Sequence, residues 1–205
     1  MSKLVKTAKK YDAIVKRFIA RRPKQGVLKW INKHPFYQRA RWHLHEIYED
    51  IIQLPHDNTV LDQGASDGIF CRLLIDEGFQ ATAVDRCKEF KKLWKLLDVP
   101  GIIGDCKTLD WWNGTEYNVI VATVWPTICG KKNRSCRKDK EKIDHLTKIK
   151  NNWLKILAPN GILYFDVKEN RYQPKYVMKF FSDDFEVAKL KTRKTPRTIL
   201  RCVKK

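Results

Sequence analysis

Residues 59–86 constrain the fold more than any other stretch of this chain. They contain an apolar segment, a glycine turn with Gly64 and Gly68, a helical segment, and a second apolar segment at 81–84 that ends at Asp85. A strand-to-helix turn uses glycine where φ is positive or where the backbone approaches a ligand, and it leaves free N–H groups at the helix start. The pattern predicts a strand, turn, helix and strand, with an acid facing the turn.

The spacing within this turn resembles the cofactor loop of class I S-adenosylmethionine-dependent methyltransferases. Ser66 stands where the second glycine of the dinucleotide pattern Gly-x-Gly-x-x-Gly would be. A pyrophosphate disfavours nearby carboxylates, whereas a cationic ligand with a ribose tolerates Asp62 and uses Asp85 for the ribose hydroxyls. The resemblance therefore implies S-adenosylmethionine as the cofactor, bound by Asp62, Gly64, Ala65, Ser66, Gly68, Asp85 and Arg86.

Alternating apolar segments and helical patterns continue after this unit and predict an α/β fold. We expect a Rossmann-like, mostly parallel sheet of seven strands, with helices on both faces and a C-terminal antiparallel hairpin. Residues 159–161, Pro-Asn-Gly, predict a tight turn before a strand at 162–167. Apolar residues at helical spacing among lysines predict a basic amphipathic helix at 4–21. The expected organisation is a basic helical extension at 1–39 and a methyltransferase domain at 40–205.

Two further segments lie where ligands bind in open parallel sheets, beyond the carboxyl ends of the strands. The resemblance places Asp105 and Cys106 near the adenine, although Asp105 equally suits a role as the cap of the next turn. Thr123, Trp125 and Pro126 follow the predicted fourth strand. They are the candidates for contact with the substrate, and Thr123 is also a candidate cofactor contact.

Residues 38–47, QRARWHLHEI, and residues 197–203, RTILRCV, resemble the entry helix and the last strand of ribose 2′-O-methyltransferases of the heat-shock-induced ribosomal RNA type. Members of that family activate the hydroxyl with Lys, Asp, Lys and Glu. At the corresponding positions this chain has His43, Thr123, Asp166 or Lys168, and Thr198. Lys168 preserves its role only if the strand is shifted by two residues. The resemblance thus extends to the fold and not to the catalytic set. His43, Thr123 and Lys168 are the catalytic candidates, although His43 also suits a partly exposed surface position.

The chain carries 42 Lys and Arg against 23 Asp and Glu, a net charge of +19, and the excess is uneven. Residues 1–45 have thirteen basic and one acidic side chain, 129–155 have ten and three, and 189–205 have eight and none. Residues 59–128, with seven basic and ten acidic side chains, are slightly acidic. This distribution favours a polyanionic partner, with nucleic acid first, RNA ahead of DNA, and an anionic membrane surface second. The simpler explanation is that the lysines only keep the surface soluble or reflect genome composition.

Three alternatives concern metals, membranes and other functions. The six cysteines form no Cys-x-x-Cys pair, and Cys129, Cys136 and His145 match no standard zinc spacing, so we expect no metal. No apolar stretch approaches the ~20 residues of a membrane helix, so we expect a cytoplasmic chain without membrane insertion. A small-molecule methyltransferase and a non-catalytic nucleic-acid-binding protein with the same fold are the rival functions, and the oligomeric state stays open.

Overall fold

The computed structural model describes residues 3–21, 31, 36, 44–123, 139–168, 173–190 and 197–205. Six helices and seven strands are defined within these ranges. In chain order they are α1 (Lys3–Ala20), α2 (Leu44–Ile51), β1 (Thr59–Gln63), α3 (Ile69–Asp76), β2 (Gln80–Asp85), α4 (Phe90–Leu96), β3 (Gly101–Ile103), β4 (Tyr117–Ala122), α5 (Asp139–Ile156), β5 (Leu157–Lys168), α6 (Pro174–Phe181), β6 (Phe185–Lys189) and β7 (Arg197–Lys204).

The strands form one seven-stranded sheet in the order β3-β2-β1-β4-β5-β7-β6. β7 is antiparallel to both of its neighbours, and the other pairs are parallel. The strands β2 and β3 are therefore added on one side of β1, and the chain then crosses to the other side of β1, where β4 lies. This change of side is the topological switch point. Because crevices form at such points beyond the carboxyl ends of the strands, the topology places a ligand site above β1, β2 and β4.

Each face of the sheet is covered by its own set of helices. Strand residues alternate between the two faces, so Val60 packs with α1 to α4, whereas its neighbour Leu61 packs with α5 and α6. Trp153 of α5 also donates from Nε1 to Oε1 of Gln63, 2.8 Å away, which joins α5 to β1. The two apolar layers hold the sheet rigid beneath the crevice.

Helix α1 is packed into the first of these layers. Five of its residues are 7% exposed or less and belong to the same apolar cluster as β1 and β4, namely Leu4, Ala8, Tyr11, Val15 and Ile19. The hydroxyl of Tyr11 also donates to the carboxylate of Asp76 at the end of α3. The division into an extension at 1–39 and a domain at 40–205 stays a prediction, and α1 is in close contact with the sheet-bearing part.

The predicted fold class is confirmed, including the antiparallel pairing of β7 with β6. The predicted helix at 4–21 is confirmed as α1. The tight turn expected at 159–161 lies within β5 as a bulge. Leu157 pairs with Tyr117 and Ile162 with Val119, so residues 158–161 lie opposite Asn118 alone, and Asn160 is left-handed with φ of 58°. The strand predicted at 162–167 is longer than expected, because β5 spans Leu157–Lys168. Within the described ranges, no helix is long and apolar enough to cross a membrane.

Candidate active site

The loop that joins β1 to α3 is fixed to the end of β2 by backbone hydrogen bonds. The N–H groups of Gly64 and Ala65 both donate to the carbonyl oxygen of Val84, at 2.8 and 3.1 Å. Gly64 and Gly68 have φ of 79°, and Ser66 between them has φ of 55°. Left-handed backbone at a non-glycine residue costs free energy, so surrounding contacts must hold Ser66 in place.

Asp85 supplies one of these contacts and faces the loop, as the sequence predicted. The Ser66 N–H donates to one of its carboxylate oxygens at 3.2 Å, and the Cys87 N–H donates to the other at 3.0 Å. Burial raises the pKa of Asp85, while the N–H groups of Cys87 and Ser66 act in the opposite direction. Each carboxylate oxygen can accept more than one hydrogen bond, so Asp85 retains capacity for a ligand's hydroxyls.

Trp94 of α4 contacts the same loop, and the sequence did not indicate this contact. Its Nε1 donates to the carbonyl oxygen of Ser66 at 2.8 Å. A Cβ built on Gly68 would lie 2.6 Å from Cδ1 of Trp94, and one built on Gly101 would lie 2.1 Å from its Cε3. The indole therefore fills the space that two glycines leave open. Gly68 and Gly101 are visible in the sequence, but only the fold shows that the Trp94 side chain lies against both.

Three carboxylates converge around the loop. Asp62, at 5% exposure near the end of β1, and Asp67, at 1% exposure in the loop itself, lie close enough to interact electrically, together with Asp85. Burial, reinforced by the charges of Asp85 and Asp67, raises the pKa of Asp62 to about 7. A concentration of negative charge in a buried site favours a cationic ligand and disfavours a pyrophosphate. The sequence analysis identified Asp62 and Asp85 but missed Asp67.

The segment after β3 is hydrogen-bonded to the end of β2, beside the loop 64–68. The Gly104 N–H donates to the carbonyl oxygen of Asp85 at 3.0 Å, and Trp111 donates from Nε1 to the carbonyl oxygen of Asp105 at 3.1 Å. The carboxylate of Asp105 accepts the Lys107 N–H at 3.0 Å, so it does cap the local turn. Burial and the charge of Asp85 raise the pKa of Cys106 to about 12. Its thiol is therefore neutral and lies in the electric field of Asp85.

Two buried polar residues lie at and near the carboxyl ends of β4 and β5. Thr123 directly follows β4 and is 4% exposed. Asp166 of β5 is 0% exposed, and it follows Phe165, the partner of Ala122 in the β4–β5 register. Strand alternation places Asp62, Thr123 and Asp166 on the same face of three adjacent strands, β1, β4 and β5. The sequence analysis weighed Asp166 only as an alternative to Lys168.

The remaining predicted residues stay predictions. His43, Trp125 and Pro126 lie outside the described residues, and only the backbone of Lys168 is described, paired with Arg197. Arg86 is exposed beside Asp85. Cys129 and Cys136, considered as zinc ligands with His145, also lie outside the described ranges. Among the residues that the structure describes, no group of three or more His, Cys, Asp or Glu side chains is arranged to hold a metal ion.

Comparisons with known proteins agree with this architecture. No family profile and no curated protein matches the sequence. A TehB-like SAM-dependent methyltransferase from Corynebacterium glutamicum superimposes with a TM-score of 0.60 at 15% identity, over 78% of this chain and 87% of that chain. The N-methyltransferase NodS from Bradyrhizobium japonicum, in complex with S-adenosyl-L-homocysteine, gives 0.58 at 14% identity, over 93% and 98%.

A fibrillarin pre-rRNA processing protein from Methanococcus jannaschii also matches, with a TM-score of 0.52 at 13% identity, over 73% of this chain and 67% of that chain. At these identities the likeness is one of fold. The fold of this protein is the Rossmann-like fold of class I SAM-dependent methyltransferases, as its sequence predicted.

Proposed function

We propose that this protein is an S-adenosylmethionine-dependent methyltransferase that acts on nucleic acid, with RNA ahead of DNA. The observation that carries the proposal is the left-handed loop 64–68, which is bonded through Ser66 to Asp85 and surrounded by buried acids. This loop lies at the switch point of a sheet with the class I methyltransferase strand order.

The residues around the loop fit this cofactor in charge and shape. When bound, S-adenosylmethionine supplies a methyl group on a positively charged sulfur. The carboxylate of Asp85 would accept hydrogen bonds from the ribose hydroxyls, and Asp62 and Asp67 would favour the positive charge. Gly64 and Gly68 would allow the backbone to approach the cofactor closely. Asp105 and Cys106 are the residues proposed for the adenine side.

The acceptor side is assigned mainly from its place in the fold. Methyl transfer from a sulfonium is an in-line displacement, so the protein contributes chiefly by positioning the acceptor. Thr123 lies at the end of β4, beside the loop, and is the described residue best placed for this role. His43 and Lys168 are proposed for proton transfer, and Trp125 and Pro126 for contact with the substrate.

The choice of nucleic acid rests on charge. The chain has a net charge of +19, and its basic excess avoids residues 59–128, which contain the whole loop 64–68 and the acids around it. An acidic cofactor site within a basic chain suits an enzyme that binds a small cation and a large polyanion at different surfaces. The fold does not choose the acceptor, because its structural neighbours include both an RNA-processing protein and an N-methyltransferase.

The proposal is tested by transfer of a labelled methyl group. The protein is incubated with methyl-labelled S-adenosylmethionine and with separate cellular fractions of RNA, DNA, protein and metabolites. We expect label in RNA. Label confined to metabolites would establish the small-molecule alternative, and cofactor binding without transfer to any fraction would establish the non-catalytic one.

A second experiment isolates the role of Asp85 in cofactor binding. Asp85→Ala should weaken S-adenosylmethionine binding by about 1.5–3 kcal/mol, because charge-assisted hydrogen bonds to the ribose are lost. Isothermal titration calorimetry measures the effect, and Asp85→Asn, which keeps one acceptor for the loop, should lose less. The control is Asp57→Ala, which removes an exposed acid just before β1, at the opposite end of the parallel strands from Asp85. Equal affinities of wild type and Asp85→Ala would contradict the cofactor assignment.

A further inference from the structure

The outward side of α1 has an unusually uniform composition. Of its residues 4–20, those that are exposed are only lysine, arginine and alanine, namely Lys6, Lys9, Lys10, Ala13, Lys16, Arg17 and Ala20. The five basic residues in this set are called the α1 stripe below. The single acidic residue of α1, Asp12, is 3% exposed and accepts the Phe36 N–H at 2.8 Å. The exposed side of α1 therefore carries positive charge with no acid among it.

Helical geometry places these residues on one side of the helix. Lys6, Lys10 and Arg17 follow one another at intervals of four and seven residues, and Lys9 and Lys16 form a parallel row seven residues apart. Ala13 and Ala20 lie between the rows and project little beyond the backbone. At 1.5 Å per residue the α1 stripe spans about 16 Å from Lys6 to Arg17. The α1 stripe is a straight, narrow band of positive charge. The two alanines between its rows have short side chains and leave the surface there nearly flat.

The buried side of α1 indicates which kind of polyanion can bind the α1 stripe. A helix that binds a bilayer surface inserts its apolar face among the lipids. The apolar face of α1 is instead buried against the sheet-bearing core, with Leu4 and Ala8 at 0% exposure and Val15 at 1%. Insertion into a membrane would require α1 to leave the fold. The surface that α1 offers is charged and not amphipathic, which favours phosphates in water over a lipid bilayer.

We propose that the α1 stripe is the docking surface for the phosphate backbone of the RNA substrate. This inference rests on the function proposed above and adds the surface that holds the RNA. Lysine and arginine side chains on a fixed helix contact successive phosphates and release the counterions bound to them, without reading the base sequence. The stripe accordingly supplies affinity and orientation, and base recognition lies elsewhere.

The test compares two variants that lose the same charge. The first combines Lys6→Gln, Lys10→Gln, Lys16→Gln and Arg17→Gln in the α1 stripe. The control combines Lys88→Gln, Lys91→Gln, Lys92→Gln and Lys95→Gln, which are four exposed lysines in and just before α4 on the same face of the sheet. Circular dichroism, thermal unfolding and calorimetry with S-adenosylmethionine establish that both variants are folded and bind the cofactor as the wild type does.

Fluorescence anisotropy with a labelled single-stranded RNA then gives the dissociation constants at several salt concentrations. We expect the α1 variant to bind about tenfold or more weakly at moderate salt, and the slope of log K against log salt to fall by about two to three. The control should lose less than threefold. Equal losses in the two variants would overturn the proposal and leave net charge as the cause.

Two further arms separate this inference from the proposed function. A DNA of the same sequence and vesicles containing anionic lipid are tested with the same variants. If the wild type binds the vesicles through the α1 stripe and does not bind RNA, the proposal is overturned and the partner of the stripe is a membrane surface. RNA binding that both variants retain would refute the docking surface and leave the proposed function intact, whereas a wild type that binds no nucleic acid would refute both.

Discussion

The two halves of the crevice are built differently. Beside β1 and β2, the loop 64–68 is held by backbone hydrogen bonds to Val84 and Asp85 and by the indole of Trp94. Beside β4 and β5, the described polar groups are the side chains of Thr123 and Asp166, which lie on adjacent strands. Backbone contacts fix a shape that binds one ligand, whereas side chains can be exchanged without loss of the fold. Under the proposed function, this difference predicts a fixed cofactor half beside β1 and β2 and an adaptable acceptor half beside β4 and β5.

The largest effect is expected from Gly68→Ala in the cofactor half. The new Cβ would lie 2.6 Å from Trp94, at a position with φ of 79°. Left-handed strain and overpacking together should cost about 2–4 kcal/mol of stability and weaken cofactor binding. Urea denaturation measures the stability, and calorimetry measures the binding.

Gly114→Ala is the matched control for this substitution. Gly114 has φ of 93°, and its added Cβ would meet nothing within 4 Å. It should therefore show the cost of the backbone conformation alone, about 1 kcal/mol. Equal costs at Gly68 and Gly114 would show that Trp94 moves aside and that the loop is less rigid than described.

An intermediate effect is expected from Asp62→Asn, and it depends on pH. The folded-state pKa of Asp62, about 7, lies above its ordinary value of 3.8. The wild type therefore loses stability as pH rises from about 4 to 7, because the buried group ionises less readily than in the unfolded chain. The variant avoids this loss, and without cofactor it should be about 1–3 kcal/mol more stable than the wild type at pH 8 and similar at pH 4.

Cofactor binding should respond to the same group with the opposite sign. Ionised Asp62 favours a cationic ligand, so the wild type should bind S-adenosylmethionine more weakly as pH falls through 7, and Asp62→Asn should remove that dependence. Chemical denaturation and calorimetry at pH 4, 6 and 8 measure the two effects where the protein is folded. A variant that is less stable than the wild type at pH 8 would show that Asp62 is ionised at little cost.

The smallest effect on cofactor binding is expected from Thr123→Val in the acceptor half. Valine has nearly the same shape, and it removes only the buried hydroxyl that directly follows β4. Cofactor affinity should change by less than about threefold, while the rate of methyl transfer to RNA should fall more. A loss of cofactor affinity as large as that of Asp85→Ala would show that Thr123 contacts the cofactor. That result would contradict the division of the site into two halves.

The sequence by itself determined the glycine turn after β1, the order of the elements that follow and the fold class. Gly64, Ser66, Gly68 and Asp85 lie within 22 consecutive residues, so their hydrogen bonds follow from one local strand, turn, helix and strand. The strand predicted at 162–167 is longer than expected, because pairing of Leu157 with Tyr117 extends β5 to the N-terminal side of the turn at 159–161.

Only the tertiary structure decided which distant side chains meet. Nothing in the sequence indicates that Trp94 contacts the loop 64–68, yet the packing of α4 places its indole against Gly68 and lets Nε1 donate to the Ser66 carbonyl oxygen. Helix α1 looked like a basic extension, but its apolar face is buried in the core, and its exposed face is left as lysine, arginine and alanine. Periodicity shows that a helix has two faces, and only packing shows which of them the fold covers.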